Sequence, residues 1–443
     1  MRRIFDNFAY GEGPRSNCWW DETCEVPSVQ LLAEDRSADV AIIGGGYTGI
    51  SAALRLAKAG ASVALLEAEH LGWGASGRNG GFCCLGGGIA SDAELDRQYG
   101  KTQRLAFRSA QKTAVAHVDR MISDLKIDVD RHSTGETELA HRPKDMTDLR
   151  RSVESIVENY GVEPTIIEKP DLAEQGFGGG PFFGGRTIPI GFGLNPRKYL
   201  SGLVAGAKDV GADLYNRCTV RRISPEGGKH VLDCGEFRVR ADHVIVATNG
   251  YSAEDVPDWL AGRYMPAQST VLVTRPLTGE ELEAQGWTTD QMSFDTRQLL
   301  HYFRLMPDGR FLFGMRGALL TGSAAEDAAR RRLRADFEKM FPAWSHVQSS
   351  NSWSGFVSLA RNKLPYIGQI PGLPSVWTAM CYHGNGVAMG SFAGVKVAEF
   401  VLGLDVSDCP DILRNPLRRF PLGMSRRAVM PPLYAKLMLE DYF

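Results

Sequence analysis

DVAIIGGGYTGISAALRLAKAGASVALLE, residues 39–67, is the stretch whose reading decides the fold. Asp39 to Ile43 reads as a short buried strand. Tyr47 to Lys58 has helical periodicity and stops at Gly60, a residue suited to a helix C-terminus. Val63 to Leu66 is a second strand, and a strand–helix–strand unit of about 30 residues has the size of a βαβ crossover. Gly44-Gly45-Gly46-Tyr47-Thr48-Gly49 fits G-x-G-x-x-G at the junction of strand and helix. Gly44 permits the tight turn, Gly46 lets backbone approach a pyrophosphate, and Gly49 lets helix and strand pack closely. The helix N-terminus, at Tyr47 and Thr48, offers unpaired N–H groups and a positive dipole end to phosphates. Glu67, followed by Ala68 at the end of the next strand, is placed to accept hydrogen bonds from ribose hydroxyls.

Working outward, residues 1–37 read as an irregular arm with Cys18-Trp19-Trp20-Asp21. Ala93 to about Lys126 and Met146 to about Asn159 look helical. Residues 176–193 are Gly- and aromatic-rich and read as loop or irregular strand. Tyr199 to Val210 is a helix after Asn195-Pro196. Leu214, Val220 and Ile223, then Val231 to Val239 and Val244 to Ala247, read as strands. Val271 to Thr274, His301 to Arg304 and Arg310 to Gly314 alternate like strands of an antiparallel sheet. Ala324 to Met340 is a charged amphipathic helix. Val376 to Met380 is the last strand, followed by a Gly-rich turn and a helix through about Leu402; residues 411–443 form a tail. Phe182, Phe183 and Phe192 suit a pocket lining, but core packing is the better reading.

Composition narrows the class. The 443 residues are 43% hydrophobic with a formal net charge of -2, which makes no electrostatic case for nucleic acid or an anionic membrane as partner. No apolar run of about 18 residues suggests a membrane span. The N-terminal segment has no apolar core of the signal-peptide kind. The eight cysteines are scattered with no C-x-x-C, so no metal site is expected, and they read as free thiols of a cytoplasmic protein.

The fingerprint alone leaves NAD or FAD open. Two further features favour FAD. Gly74-Ala75-Ser76-Gly77-Arg78-Asn79-Gly80-Gly81 follows shortly after Glu67; its small residues allow close approach, and Ser76, Arg78 and Asn79 supply donors for a pyrophosphate or flavin edge. Far downstream, Val244 to Ala247 returns a strand to the same sheet and leads into Thr248-Asn249-Gly250.

From about Asp39 to about Gly403 the chain resembles the D-amino-acid oxidase family of FAD-dependent amine oxidoreductases. The Trp-Trp-Asp arm, the glycine-rich loop and Tyr302-x-Arg304 look most like its gamma-glutamylputrescine oxidoreductase branch. The resemblance implies an α/β FAD-binding Rossmann-like domain of the glutathione-reductase type. It also implies an α+β substrate domain on a mixed, mostly antiparallel sheet. The domain bounds expected are an arm at 1–37, FAD-binding segments at 38–100, 195–258 and 349–410, substrate segments at 101–194 and 259–348, and the tail at 411–443. Val220, Trp353 and Gly355 fall on segments that the resemblance brings to the cofactor. Cys381-Tyr382-His383-Gly384-Asn385-Gly386-Val387 precedes an apolar helix; its glycines let backbone lie against a flat ring, and the helix N-terminus can stabilise negative charge at the pyrimidine end of the isoalloxazine. His383 is read as a hydrogen-bonded site residue ahead of a catalytic base. Residues 353–370 contain no Cys, so FAD is expected to be non-covalent. Period-two alternation puts Tyr302 and Arg304 on one face, which in the family looks onto the flavin, and a guanidinium there could clamp a substrate carboxylate; Arg316 follows the same argument. The reaction implied is C–N oxidation of a small amine or amino acid to an imine, with O2 as acceptor. A dehydrogenase feeding a quinone or carrier protein and a non-catalytic flavoprotein are the rivals.

Overall fold

The structure is a computed structural model that describes residues 1–318 and 321–442. Two large sheets organise it. In the first, parallel strands Gln30–Leu31, Asp213–Asn216, Val63–Leu66, Arg36–Ile43 and Arg238–Val246 lie side by side in that order. Val376–Met380 joins Arg238–Val246 in parallel and carries Tyr366–Gln369 antiparallel; the hairpin Arg222–Glu226 and Lys229–Asp233 extends the sheet. A parallel sheet is buried on both faces, which explains the continuous apolar runs in Ile42-Ile43 and Val63–Leu66. Helices Tyr47–Lys58, Pro196–Asp209 and Ala388–Val401 pack on one face over a core that includes Ile42, Leu54, Leu65, Leu203 and Val397.

The second sheet runs Ser349–Ala360, Tyr264–Thr274, Phe311–Ala318, His301–Leu305, Met292–Asp295, Glu136–Leu139, Gly184–Ile188 and Thr165–Glu168. Its pairs are antiparallel except Met292–Asp295 with Glu136–Leu139. Its back is sealed by an aromatic cluster in which Trp287 meets Phe177, Phe182, Phe303, Phe311 and Phe341. Phe182 and Phe192 are buried, and Phe183 packs beside Met146, so all three belong to packing. No helix among the described residues is long and apolar enough to cross a membrane. The eight cysteines are free.

The sheets shift two of the expected domain bounds. Ser349–Ala360 is a strand of the second sheet, not the start of a third FAD-binding segment. Helix Lys101–Asp124 contributes Phe107, Ala114 and Val118 to the core of the first sheet, so residue 101 does not begin the substrate unit. The long helix expected from Ala93 is two, Asp92–Tyr99 and Lys101–Asp124, because Gly100 at φ +80 turns the chain between them. Pro143–Arg151 and Val153–Tyr160 likewise replace a single helix. The arm is not irregular throughout: it holds Asn7–Tyr10, Glu12–Arg15 and the 3-10 turn Trp19–Glu22. In the tail, helix Met430–Tyr442 follows a buried ion pair, Arg426 to Glu254 at 2.7 Å.

Candidate active site

A cavity of about 520 Å³ runs along the seam of the two sheets. One end is walled by Glu67, Ala68 and Val220, the middle by the fingerprint and the Gly74 loop, and the other end by Tyr302, Arg316 and His383 to Val387. Of the residues singled out in the sequence, Gly44, Gly46, Tyr47, Thr48, Glu67, Ala68, Gly74, Ala75, Ser76, Arg78, Asn79, Gly80, Val220, Thr248, Asn249, Tyr302, Gly355, His383, Gly384, Asn385, Gly386 and Val387 line this cavity. Gly49, Gly81, Gly250, Trp353 and Arg304 stand behind it.

Gly49 acts through packing. A Cβ built there would sit 2.0 Å from the Gly44 carbonyl oxygen, so only glycine lets the helix touch the turn. Ser76 Oγ accepts from the Tyr47 amide at 2.9 Å, tying the Gly74 loop to the helix N-terminus. Glu67 accepts from the Gly45 amide at 2.6 Å and the Glu69 amide at 3.0 Å, and burial raises its pKa. It therefore braces the fingerprint while still facing the cavity. Asn79 uses its amide donors inside the loop, on Ala75 and Ser76 carbonyls, while its oxygen accepts from Gly81. Trp353 holds the same loop from behind, donating to the Arg78 carbonyl at 2.8 Å, and Trp20 of the arm donates to that of Asn79 at 2.8 Å.

Arg78 is the donor left over. Nε donates to the Trp73 carbonyl at 2.8 Å and Nη1 to that of Ser354 at 3.2 Å, but Nη2 is buried without a partner. The Trp73 and Tyr251 rings, each 5.3 Å from its Cζ, share the charge, but a buried guanidinium without a counter-ion is costly, and an anion in the cavity would offset that cost. Together with the glycine cradle at 44–49, this fits a dinucleotide: Gly44 to Thr48 and Arg78 would hold its phosphates and Glu67 its ribose.

At the far end the two arginines part. Tyr302 pairs with Gly314 across adjacent strands, and Arg304 with Leu312. From Tyr302, the sheet leads one way to Arg304 and the other way, along Phe311–Ala318, to Arg316. Arg304 runs under the arm and the Gly81 loop, between Trp20 and Phe82, and is wholly buried. Its Nη1 donates to His132 Nε2 at 2.7 Å and its Nη2 to the Leu194 carbonyl at 2.9 Å. Burial and the Arg304 charge push His132 down to about 3, so it is a neutral acceptor; burial pulls Arg304 to about 9. The anchor expected at Arg304 is thus turned away from the cavity, since strand alternation carries no information on what covers a face.

Arg316 lines the cavity, and among the described residues its guanidinium has no hydrogen bond or ion pair. Its Nη2 lies so close to Gly384, itself at φ +105, that a Cβ there would be 2.2 Å away. Tyr302 hydroxyl meets Ser269 Oγ at 3.0 Å. His383 Nε2 accepts from the Ala360 amide at 3.3 Å, and its Nδ1 is buried without a partner among the described residues. Burial, then the Arg316 charge, push His383 down to about 3; the Leu364 carbonyl opposes this more weakly. A Cβ built on Gly386 would meet Tyr382 at an ordinary 3.6 Å, and the following helix spans Ala388–Val401.

Sequence reasoning missed part of the wall. Cys84, Arg108, Gln111, Glu136 and Tyr160 also line the cavity, as do Arg3 and Tyr10 of the arm. Arg108, Gln111 and Tyr160 satisfy one another and Asp92. No local pattern marks these residues; only the packing of helix Lys101–Asp124 against the first sheet brings them here.

The fold and its cradle define a dinucleotide-binding protein with a second, separate sheet. Residues 39–400 match the family model described as FAD dependent oxidoreductase (DAO), and the chain belongs to that family. It is 30% identical to "Probable oxidoreductase OrdL" of Rhizobium meliloti (strain 1021) over 416 residues, 93% of this chain and 94% of the relative. It is 28% identical to gamma-glutamylputrescine oxidoreductase of Escherichia coli (strain K12) over 397 residues, 89% and 91% of the two chains. Glycine oxidase from Geobacillus kaustophilus has the same fold, with TM-score 0.69 and 22% identity over 84% of this chain and 96% of that one. The chain is therefore an FAD-dependent oxidoreductase by family.

Proposed function

We propose that the protein oxidises a C–N bond in a small, carboxylate-bearing amine to an imine, using non-covalent FAD and O2. The observation that carries this reading is Arg316: a half-buried guanidinium with no hydrogen bond or ion pair among the described residues, beside Tyr302 and His383 at the end of the cavity remote from Glu67. A carboxylate on the ligand would complete it, with the planar fork fixing orientation. When bound, FAD supplies the acceptor for the hydride lost from the carbon next to nitrogen, and O2 takes the electrons onward as H2O2. The protein's share is positioning and exclusion of water. The substrate amine loses one further proton, and water hydrolyses the imine to a carbonyl compound and ammonia or the freed amine. Burial and the Arg316 charge favour the neutral imidazole of His383, which supports its role as a hydrogen-bonding site residue. Cys84, which lines the substrate end, has its thiol pKa raised by burial, and Cys218 lies beside Val220 at the opposite end; both placements support non-covalent FAD.

The protein should purify yellow, and acid or heat should release free FAD into the supernatant; colour retained by the pellet would mean a covalent bond. Anaerobic mixing with a panel of amines should bleach the visible band for carboxylate-bearing members, and air should restore it with H2O2. Bleaching by none of them defeats the amine reading, and bleaching that O2 does not reverse moves the acceptor to a quinone or carrier protein.

His383→Gln should lower kcat about tenfold, the order of one lost site hydrogen bond, and leave the apparent pKa values of the pH–rate profile in place. Disappearance of an inflection between pH 5 and 9 in the variant would make His383 an acid–base catalyst.

A further inference from the structure

Glu136 is a carboxylate of the cavity wall that has no ion pair among the described residues. It stands on Glu136–Leu139, between Met292–Asp295 and Gly184–Ile188, and lines the same cavity as Arg316. Its neighbour Glu138 is taken by Arg186, while Glu136 has no ion pair among the described residues and stands near the Cys84 thiol. A thiol does little to stabilise a carboxylate, and a carboxylate out of water needs a cation. Arg316 acts on it only through space, with no ion pair between them among the described residues.

We propose that Glu136 is a cation subsite: the substrate carries, besides the carboxylate held by Arg316 and the nitrogen that is oxidised, a second positively charged nitrogen that docks on Glu136. The carboxylate half of this statement rests on the function proposed above; the Glu136 half stands on its own geometry. Four groups face the Glu136 carboxyl and set its charge: Cys84, Glu138, Arg186 and Arg316. Burial is the largest influence and raises its pKa to about 7, with Glu138 adding to the rise and Arg186 and Arg316 opposing it. A bound cation selects the ionised form, so affinity for a cation should climb as pH rises through about 7 and level off above it. Affinity for an uncharged group of the same shape should not follow this curve.

The test uses ω-trimethylammonio alkanoates and their ω-tert-butyl isosteres, which share the carboxylate and shape and differ in one charge. Neither has an N–H, so neither can form a neutral imine, and binding to the holoenzyme is read by calorimetry and by perturbation of the flavin spectrum. At pH 8.5 the charged probe should bind about tenfold tighter, the order expected of one close charge pair away from bulk water. The ratio should fall towards one at pH 5.5, and should be near one at both pH values in Glu136→Gln. A wild-type ratio under about threefold at pH 8.5, or a ratio that survives either acid or Glu136→Gln, overturns the proposal. The wild-type pH series decides alone if the variant does not fold. Arg316→Met should weaken both probes equally; if it weakens neither, the carboxylate reading fails while the ratio still judges Glu136.

Discussion

Arg316→Met is expected to lower kcat/KM for a carboxylate-bearing amine by about 10²–10³-fold, chiefly through KM. The loss of a bidentate charge-assisted pair in a dry site is on the order of 3–4 kcal/mol, which converts to that factor. An amine without a carboxylate should lose far less. Stability should move the other way. The guanidinium has no partner among the described residues, so a methionine of similar length removes a desolvated charge, and Tm should stay level or rise. Arg304→Met supplies the contrast. It strands His132 Nε2 and the Leu194 carbonyl, so Tm should fall by the equivalent of about 1–3 kcal/mol. Its kcat/KM per folded, flavin-loaded molecule should change less than tenfold. Equal kinetic damage from the two variants would remove the distinction between Arg316 as anchor and Arg304 as pin.

Gly49→Ala should abolish stable flavin loading. The added methyl would lie 2.0 Å from the Gly44 oxygen and 3.3 Å from Ile42 Cγ2. Neither neighbour is free to yield, since the Gly44 amide is bonded to Leu66 at 2.9 Å and Ile42 is fully buried in the sheet. The helix must therefore lift from the strand, taking its N-terminal amides off the phosphates. Overpacking of this kind costs about 1–3 kcal/mol in folding, and loss of the phosphate contacts should weaken FAD by at least about 100-fold, or about 2.7 kcal/mol. Flavin-to-protein ratio after gel filtration, with melting curves, reads both. Gly279→Ala, where a Cβ meets nothing within 4 Å, is the control. A yellow Gly49→Ala protein that melts like the wild type would show that the turn tolerates a side chain.

The nucleotide half of the molecule was legible in the sequence because local pattern and burial agree there. Tyr47–Lys58, Val63–Leu66 and Val376–Met380 have the bounds their apolar periodicity predicts. The substrate half resisted for identifiable reasons. Met292–Asp295 buries Ser293 and Asp295, polar residues that become acceptable only because Asp295 meets His301 and the backbone of Arg297. Ser349–Ala360 is so rich in serine that its alternation is muted, yet Ser354 and Ser358 are buried with partners. Glu136 carries no pattern at all, since its importance lies in what fails to pair with it. Arg304 and Arg316 show the limit most sharply: period two assigns a face, but only the arm, arriving from the opposite end of the chain, decides which arginine is covered.

The central strand Arg238–Val246 pairs with Arg36–Ile43 on one side and with Val376–Met380 on the other. Between those partners the chain twice leaves to build the second sheet. Neither half is thus a contiguous piece of polypeptide, and during synthesis the first sheet waits for a strand that emerges near the end. Such long-range pairing slows folding and leaves apolar strand edges open meanwhile. Rearranging the gene by excising either half as a fragment should yield aggregate, whereas co-expression with helpers that shield nascent edges should raise the soluble yield of the intact chain.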